Sequence, residues 1–105
     1  MTYTDAPVNS HQEVVGSNDQ LIDVREPAEF AGGTLPHAIN IPLGELPNRL
    51  GELDRNRRVV LLCRSGGRSA NAAQFLASSG FADVVNLEGG MLAYDPTNQS
   101  KGTLQ

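Results

Sequence analysis

Val59-Val-Leu-Leu62 is an uninterrupted apolar run that leads without a spacer into Cys63-Arg-Ser-Gly-Gly-Arg-Ser69. Successive side chains of a strand point to opposite faces of the sheet, so a strand with no polar alternation has both faces covered. Antiparallel sheets commonly leave one face wet. The run therefore predicts a mostly parallel sheet with helices packed on both sides. Gly66-Gly67 supplies a tight turn, and the pattern predicts a helix over about residues 68–79. Ala70, Ala73, Leu76 and Ala77 lie along one face of it, and Gly80 stands at its C-terminal end.

The rest of the chain repeats the alternation. Gln20-Leu-Ile-Asp-Val-Arg25 reads as a short strand ending near Val24, and Pro27 as the first residue of a brief helix stopped by Gly32-Gly33. Ala38-Ile-Asn-Ile41 is a weaker strand closed by Pro42. Leu43, Leu46, Leu50 and Leu53 then recur at helical spacing, with Pro47 marking a helix start or kink. Asp83-Val-Val-Asn-Leu87 is a further strand, and Glu88-Gly-Gly90 turns it into a short helix around residues 91–94. A parallel sheet binds its ligands outside the carboxyl ends of its strands, where Cys63 falls.

The chain has 105 residues, the size of one domain, expected over residues 1–95 with a flexible tail at 96–105. Eight Lys and Arg against twelve Asp and Glu give a net charge of −4, which argues against a broad electrostatic footprint for nucleic acid or an anionic membrane. The longest apolar runs are far too short to span a bilayer, and the start of the chain lacks a basic stretch followed by an apolar core, so a cytoplasmic location is expected. A single cysteine forms neither an intrachain disulfide nor a multi-cysteine metal site, and Cys63 is thus either a small buried group or a nucleophile.

The surroundings of Cys63 favour the nucleophile. A cysteine between a buried strand and a helix N-terminus meets converging backbone N–H groups and the positive end of the helix dipole, both of which favour thiolate. Arg64 and Arg68 add positive charge, Ser65 and Ser69 add hydroxyl donors, and Gly66 and Gly67 let the backbone fold back. Such a loop suits an anion held beside a nucleophilic sulfur, and no metal or cofactor is implied.

Four segments in order carry a family resemblance. They are Leu21-Ile-Asp-Val-Arg-Glu-Pro-Ala-Glu-Phe30, Gly33-Thr-Leu-Pro-His-Ala-Ile-Asn-Ile-Pro42, Cys63-Arg-Ser-Gly-Gly-Arg-Ser69 and Leu87-Glu-Gly-Gly-Met91. In these the chain resembles a single-domain member of the rhodanese (thiosulfate sulfurtransferase) family. The resemblance implies an α/β fold, an open and mostly parallel sheet of about five strands with helices on both faces, whose first strand lies at residues 2–5. It also implies a mechanism. The Cys63 thiolate takes a sulfane sulfur from thiosulfate or a related persulfide donor, carries it as a persulfide and passes it to cyanide or to a thiol, such as that of a thioredoxin-like or other sulfur-acceptor protein. The backbone N–H groups of Ser65 through Ser69 stabilise the persulfide, Arg64 and Arg68 contact the anionic donor, and Asp23 and Arg25 support the site through an ion pair.

Phosphatases and arsenate reductases that resemble this fold place five residues between cysteine and arginine. Here Cys63 and Arg68 have four between them, and Ser69 stands at the position of that arginine, which favours sulfur transfer. A rival from another class is a non-enzymatic rhodanese-like module that binds a partner or senses oxidants through Cys63. Glu26 and Glu29 read as ordinary first-turn helix acids, His37 as a solvated loop histidine, and Met91 and Tyr94 as rim residues that chiefly pack.

Overall fold

The computed structural model describes residues 2–97. Residues 98–105, most of the expected tail, lie outside them. Its five strands are β1 (Thr4–Pro7), β2 (Gln20–Asp23), β3 (Ile39–Asn40), β4 (Val59–Leu62) and β5 (Val84–Glu88). They form one sheet in the order β1-β5-β4-β2-β3, and every neighbouring pair is parallel. The helices are α1 (His11–Val14), α2 (Pro27–Ala31), α3 (Gly67–Ser78) and α4 (Gly90–Ala93), with a 3-10 turn at Val8–Ser10 and a longer 3-10 segment over Leu43–Glu52.

The apolar run behaves as its composition requires. β4 is the middle strand and all four of its side chains are buried, divided by the two-residue period of the strand. Val59 and Leu61 join a core with Ile22, Val24, Leu46, Phe81 and the Ala72, Ala73 and Leu76 face of α3. Val60 and Leu62 join the opposite core with Val8, Leu21, Leu35, Val85 and Leu87, against which Val14, Met91 and Tyr94 pack. Both faces of the sheet are therefore dry, as expected, and β4 delivers Cys63 at its carboxyl end between two filled layers.

Several expectations shift in detail. The first strand lies at Thr4–Pro7, two residues beyond the expected 2–5, because its pairing is set by β5, with Asp5 opposite Asn86 and Pro7 opposite Glu88. α3 begins at Gly67 rather than at residue 68. Its buried stripe is Ser69, Ala72, Ala73, Leu76 and Ala77, with Ala70 only half-buried. Ala73, Leu76 and Ala77 are buried as expected, and of the four expected positions only the first differs, where Ser69, drawn under the loop, takes the place expected of Ala70. The Leu43–Glu52 segment winds as 3-10 turns broken at Arg49 (φ −121°, ψ 15°) rather than as one α-helix, with Pro47 inside it and Leu46 its buried anchor. Pro47 has no N–H for an α-helical ladder, which explains the tighter winding. No helix among the described residues is long and apolar enough to cross a membrane.

Candidate functional site: the Cys63 loop

Residues 63–69 wrap back from β4 into α3, and the wrap needs two glycines. Gly66 caps α3 at φ +105°, and a Cβ there would stand 3.1 Å from the Gly89 nitrogen. Gly90 sits at φ +57°, and a Cβ there would come within 2.4 Å of the Cys63 carbonyl oxygen. Only a residue without a side chain permits that approach. The contact is bonded: Met91 N–H donates to the Cys63 carbonyl at 2.9 Å and Leu92 N–H to that of Arg64 at 2.8 Å. The Glu88-Gly-Gly90 turn therefore holds the floor of the cysteine loop.

The Cys63 side chain is buried at the base of this loop. Gly66 N–H donates to Sγ at 3.0 Å, and the Ser69 hydroxyl lies 3.2 Å from Sγ. Burial pushes the Cys63 thiol up, but the Ser69 hydroxyl and the N–H groups of Ser69, Gly66 and Ser65 more than offset it, so the thiol is held below its ordinary value. These N–H groups are three of the five loop amides, Ser65 through Ser69, expected to face charge on the sulfur. The two arginines, expected to add positive charge and to contact an anion, are placed differently from one another. Arg64 is exposed. Arg68 donates from Nη1 and Nη2 to the two Glu29 carboxylate oxygens at 2.8 and 2.9 Å.

That fork corrects the reading of Glu29 as only a helix acid. Glu29 does complete a reciprocal cap on α2, since its side chain accepts the Glu26 N–H at 2.9 Å. The same carboxylate also neutralises Arg68, and the Arg68 hydrogen bonds, together with the Glu26 N–H, hold the Glu29 carboxyl at about 2. Arg68 is raised in turn, first by Glu29 and also by the nearby Cys63 sulfur. The edge of the site is thus a carboxylate–guanidinium pair, with the remaining Arg68 N–H groups facing away from Glu29.

Asp23 and Arg25 form the buried ion pair expected of them. Arg25 Nη2 donates to Asp23 Oδ2 at 2.7 Å and to the Gly33 carbonyl at 2.7 Å, while Thr34 donates to Asp23 Oδ2 at 2.8 Å. Asn40 Nδ2 donates to the carbonyls of Asp23 and Arg25, tying β3 to the end of β2. His37 is exposed, with φ +68°, and lines a cavity of about 350 Å³ with Val15, Asp19 and Leu21 near the start of β2. β2 and β4 run parallel, so this cavity lies at the opposite end of the strands from Cys63. His11 is buried on α1, edge-on to Tyr94. Neither histidine supplies a hydrogen bond to Cys63.

Asn86 was not singled out from the sequence. It is buried on β5, with its Oδ1 2.5 Å from the Ser69 hydroxyl, and so stands one residue removed from the sulfur. The signal was present: a lone polar residue inside Val84-Val-Asn-Leu87, in a strand otherwise apolar and covered, needs a buried partner.

A family model described as a rhodanese-like domain matches residues 8–96. The chain belongs to the rhodanese-like family. A putative sulfurtransferase, YtwF, of Bacillus subtilis is 43% identical to this rhodanese-like chain over 81 residues, covering 77% of it and 78% of the relative. The thiosulfate sulfurtransferase GlpE of Shewanella oneidensis is 37% identical over 79 residues, 75% of this chain and 78% of that one. In solved structures, a rhodanese-like domain protein from Staphylococcus aureus superposes with a TM-score of 0.79 at 28% identity, over 97% of this chain and 98% of that one. Membership of the rhodanese-like family and relatives named sulfurtransferase support a role as a sulfurtransferase or sulfur carrier.

Proposed function

We propose that the protein is a sulfurtransferase that moves a sulfane sulfur from thiosulfate, or from a related persulfide donor, to a thiophilic acceptor through a Cys63 persulfide. The observation that carries this reading is the sulfur itself: one cysteine at the carboxyl end of the central strand, its pKa held below the ordinary thiol value by a hydroxyl and converging amides. Such a thiolate attacks the outer sulfur of thiosulfate. A new S–S bond forms to Sγ, the bond between outer sulfur and sulfite breaks, and its electron pair leaves with sulfite. The terminal persulfide sulfur now carries the negative charge, opposite the Ser65 to Ser69 amides, which act as an oxyanion hole does. An acceptor thiolate or cyanide attacks that terminal sulfur and releases the Cys63 thiolate.

The deciding measurement is the intact mass of the reduced protein after brief exposure to thiosulfate, then after cyanide. The expected result is the gain of one sulfur atom, its removal by cyanide, and thiocyanate in solution. Protein that gains no sulfur from thiosulfate or from a persulfide donor would overturn the reading in favour of a binding or oxidant-sensing module.

The downward shift of the Cys63 thiol makes it a stronger acid than free cysteine. Thiolate is the reactive form and its fraction rises with pH, so alkylation by iodoacetamide should follow one titration whose midpoint lies below the ~8.5 of free cysteine. A midpoint at or above that of free cysteine would show that burial outweighs the hydrogen bonds.

Arg68 bears on the donor. Its replacement by alanine removes a cation and also leaves the Glu29 carboxylate unpaired beside an incoming dianion. Arg68→Ala should raise the KM for thiosulfate about tenfold, the size of one charged hydrogen bond, with a smaller effect on kcat. Arg68→Ala/Glu29→Gln should recover part of that loss, because the repelling carboxylate is gone. Steady-state kinetics over a range of thiosulfate concentrations distinguish these outcomes, and an unchanged KM in Arg68→Ala would remove Arg68 from the donor site.

A further inference from the structure

We propose that Asn86 is a positioning residue that competes with Cys63 for the single proton of the Ser69 hydroxyl, and thereby sets the balance between the thiol, thiolate and persulfide states of the sulfur. Asn86 Nδ2 donates to Asp5 Oδ1 at 2.9 Å, across the β1–β5 ladder in which the two residues are direct partners. A carboxylate only accepts, so the amide NH₂ must face Asp5 and the amide oxygen must face inward. There it meets Ser69 Oγ at 2.5 Å. Both Ser69 and Asn86 are shielded from water, being 0% and 3% exposed, so no solvent molecule substitutes for a lost bond.

The Ser69 hydroxyl has one proton and two close acceptors outside its own turn, Asn86 Oδ1 and Cys63 Sγ, the latter at 3.2 Å. When Cys63 is a thiol, all donors run one way: S–H to Ser69 Oγ, the Ser69 O–H to Asn86 Oδ1, and the Asn86 N–H to Asp5. When Cys63 loses its proton, the hydroxyl turns to the thiolate and the buried amide oxygen of Asn86 loses its donor. That loss opposes ionisation. In the persulfide state Sγ is a bridging, uncharged sulfur and a poor acceptor, so the hydroxyl returns to Asn86. Asn86 therefore favours both the thiol and the loaded enzyme over the free thiolate. The second half of this statement rests on the sulfur-transfer reading; the first does not.

Iodoacetamide alkylation of the full chain across pH tests the first half, with the parent, Asn86→Leu, Ser69→Ala and the double variant side by side. Asn86→Leu changes no charge and leaves the surroundings of Arg64, Arg68, Glu26, Glu29, Glu88, Asp23 and Arg25, the charged groups on the loop and the elements around it, as they are; Asp5 alone loses its Asn86 N–H, an effect that the Ser69→Ala background carries equally. The expected result is a midpoint lowered by about one pH unit in Asn86→Leu, corresponding to one hydrogen bond. Ser69→Ala should raise the midpoint, and adding Asn86→Leu to it should do nothing more. An unchanged or raised midpoint in Asn86→Leu, or an equal shift with Ser69 absent, would overturn the proposal.

Should Asn86→Leu not fold, the exposed Asp5 gives a second route. Asp5→Ala frees the amide to turn its N–H toward Ser69 Oγ, which sends the hydroxyl to the sulfur. Its midpoint should fall further with Ser69 present than in Ser69→Ala, whereas loss of charge alone would give equal falls and overturn the proposal. For the loaded state, thiosulfate and sulfite at a fixed ratio, at a pH above both alkylation midpoints so that the free enzyme is thiolate, should leave Asn86→Leu with a loaded-to-free ratio about tenfold below the parent by intact mass, the same shift read from the other side. An equal ratio would overturn that half. If even the parent takes up no sulfur, the sulfur-transfer reading fails and the alkylation midpoints still decide the role of Asn86.

Discussion

Cys63→Ser should lose sulfur transfer by at least about a thousandfold while keeping the fold, because it removes the nucleophile and almost nothing else. A serine hydroxyl is not ionised near neutral pH and forms no persulfide, so neither half of the cycle has a substitute pathway. The structural change is small. The side chain is buried, but the replacing hydroxyl finds the Gly66 N–H and the Ser69 hydroxyl already placed at hydrogen-bonding distance. A stability change of about 1 kcal/mol or less is expected, and urea unfolding checks it. The activity side is read by thiocyanate formation and by intact mass, in which the variant should gain no sulfur under conditions that load the parent. Turnover in the variant within tenfold of the parent would show that sulfur passes by a route other than Cys63.

The parts of the fold that the sequence made legible are those governed by local pattern. A short apolar run without alternation, bounded by polar residues and a glycine turn, reads as a covered strand, so β4 and the place of Cys63 followed from Val59-Val-Leu-Leu62 and its flanks, and the doubly covered sheet from the alternation of strands with helices along the chain. Gly66, Gly67 and Gly80 bracketed α3 to within one residue of its bounds, Gly67–Ser78. The parts that were not legible depend on distant partners. β1 is mostly exposed and ends in Pro7, so nothing in its own composition fixes its position; the ladder to β5 does. The Glu29–Arg68 pair joins residues 39 apart, and a first-turn glutamate looks the same whether or not a guanidinium waits across the loop. Asn86 is the instructive case. Its partners Asp5 and Ser69 lie 81 and 17 residues away, yet the anomaly of one amide in a buried strand was local and could have marked it.

The second large effect expected is on stability and comes from Asp23, which is fully buried beneath Arg25. Removing one member of a buried ion pair strands the other charge in a poorly solvating place, at a cost of about 3–5 kcal/mol, a large share of the ~5–15 kcal/mol by which a domain is stable. Asp23→Asn keeps the shape but turns an NH₂ toward a guanidinium that has only donors, and it also weakens acceptance from Thr34. Replacing both partners by apolar residues of similar size, as in Asp23→Leu/Arg25→Met, should recover much of the loss, because no charge is then left unpaired. Urea unfolding of the three proteins tests this, and a loss below about 1 kcal/mol in Asp23→Asn would mean that the pair holds little. Function follows by a mechanical path. Arg25 grips the Gly33 carbonyl just beyond α2, and α2 carries the Glu29 that holds Arg68. Loosening the Asp23 anchor should therefore loosen the edge of the cysteine loop. The double apolar variant, stable but without the grip on Gly33, should show a raised KM for thiosulfate with Cys63 alkylation little changed. That combination would separate the support of the site from the chemistry of its sulfur.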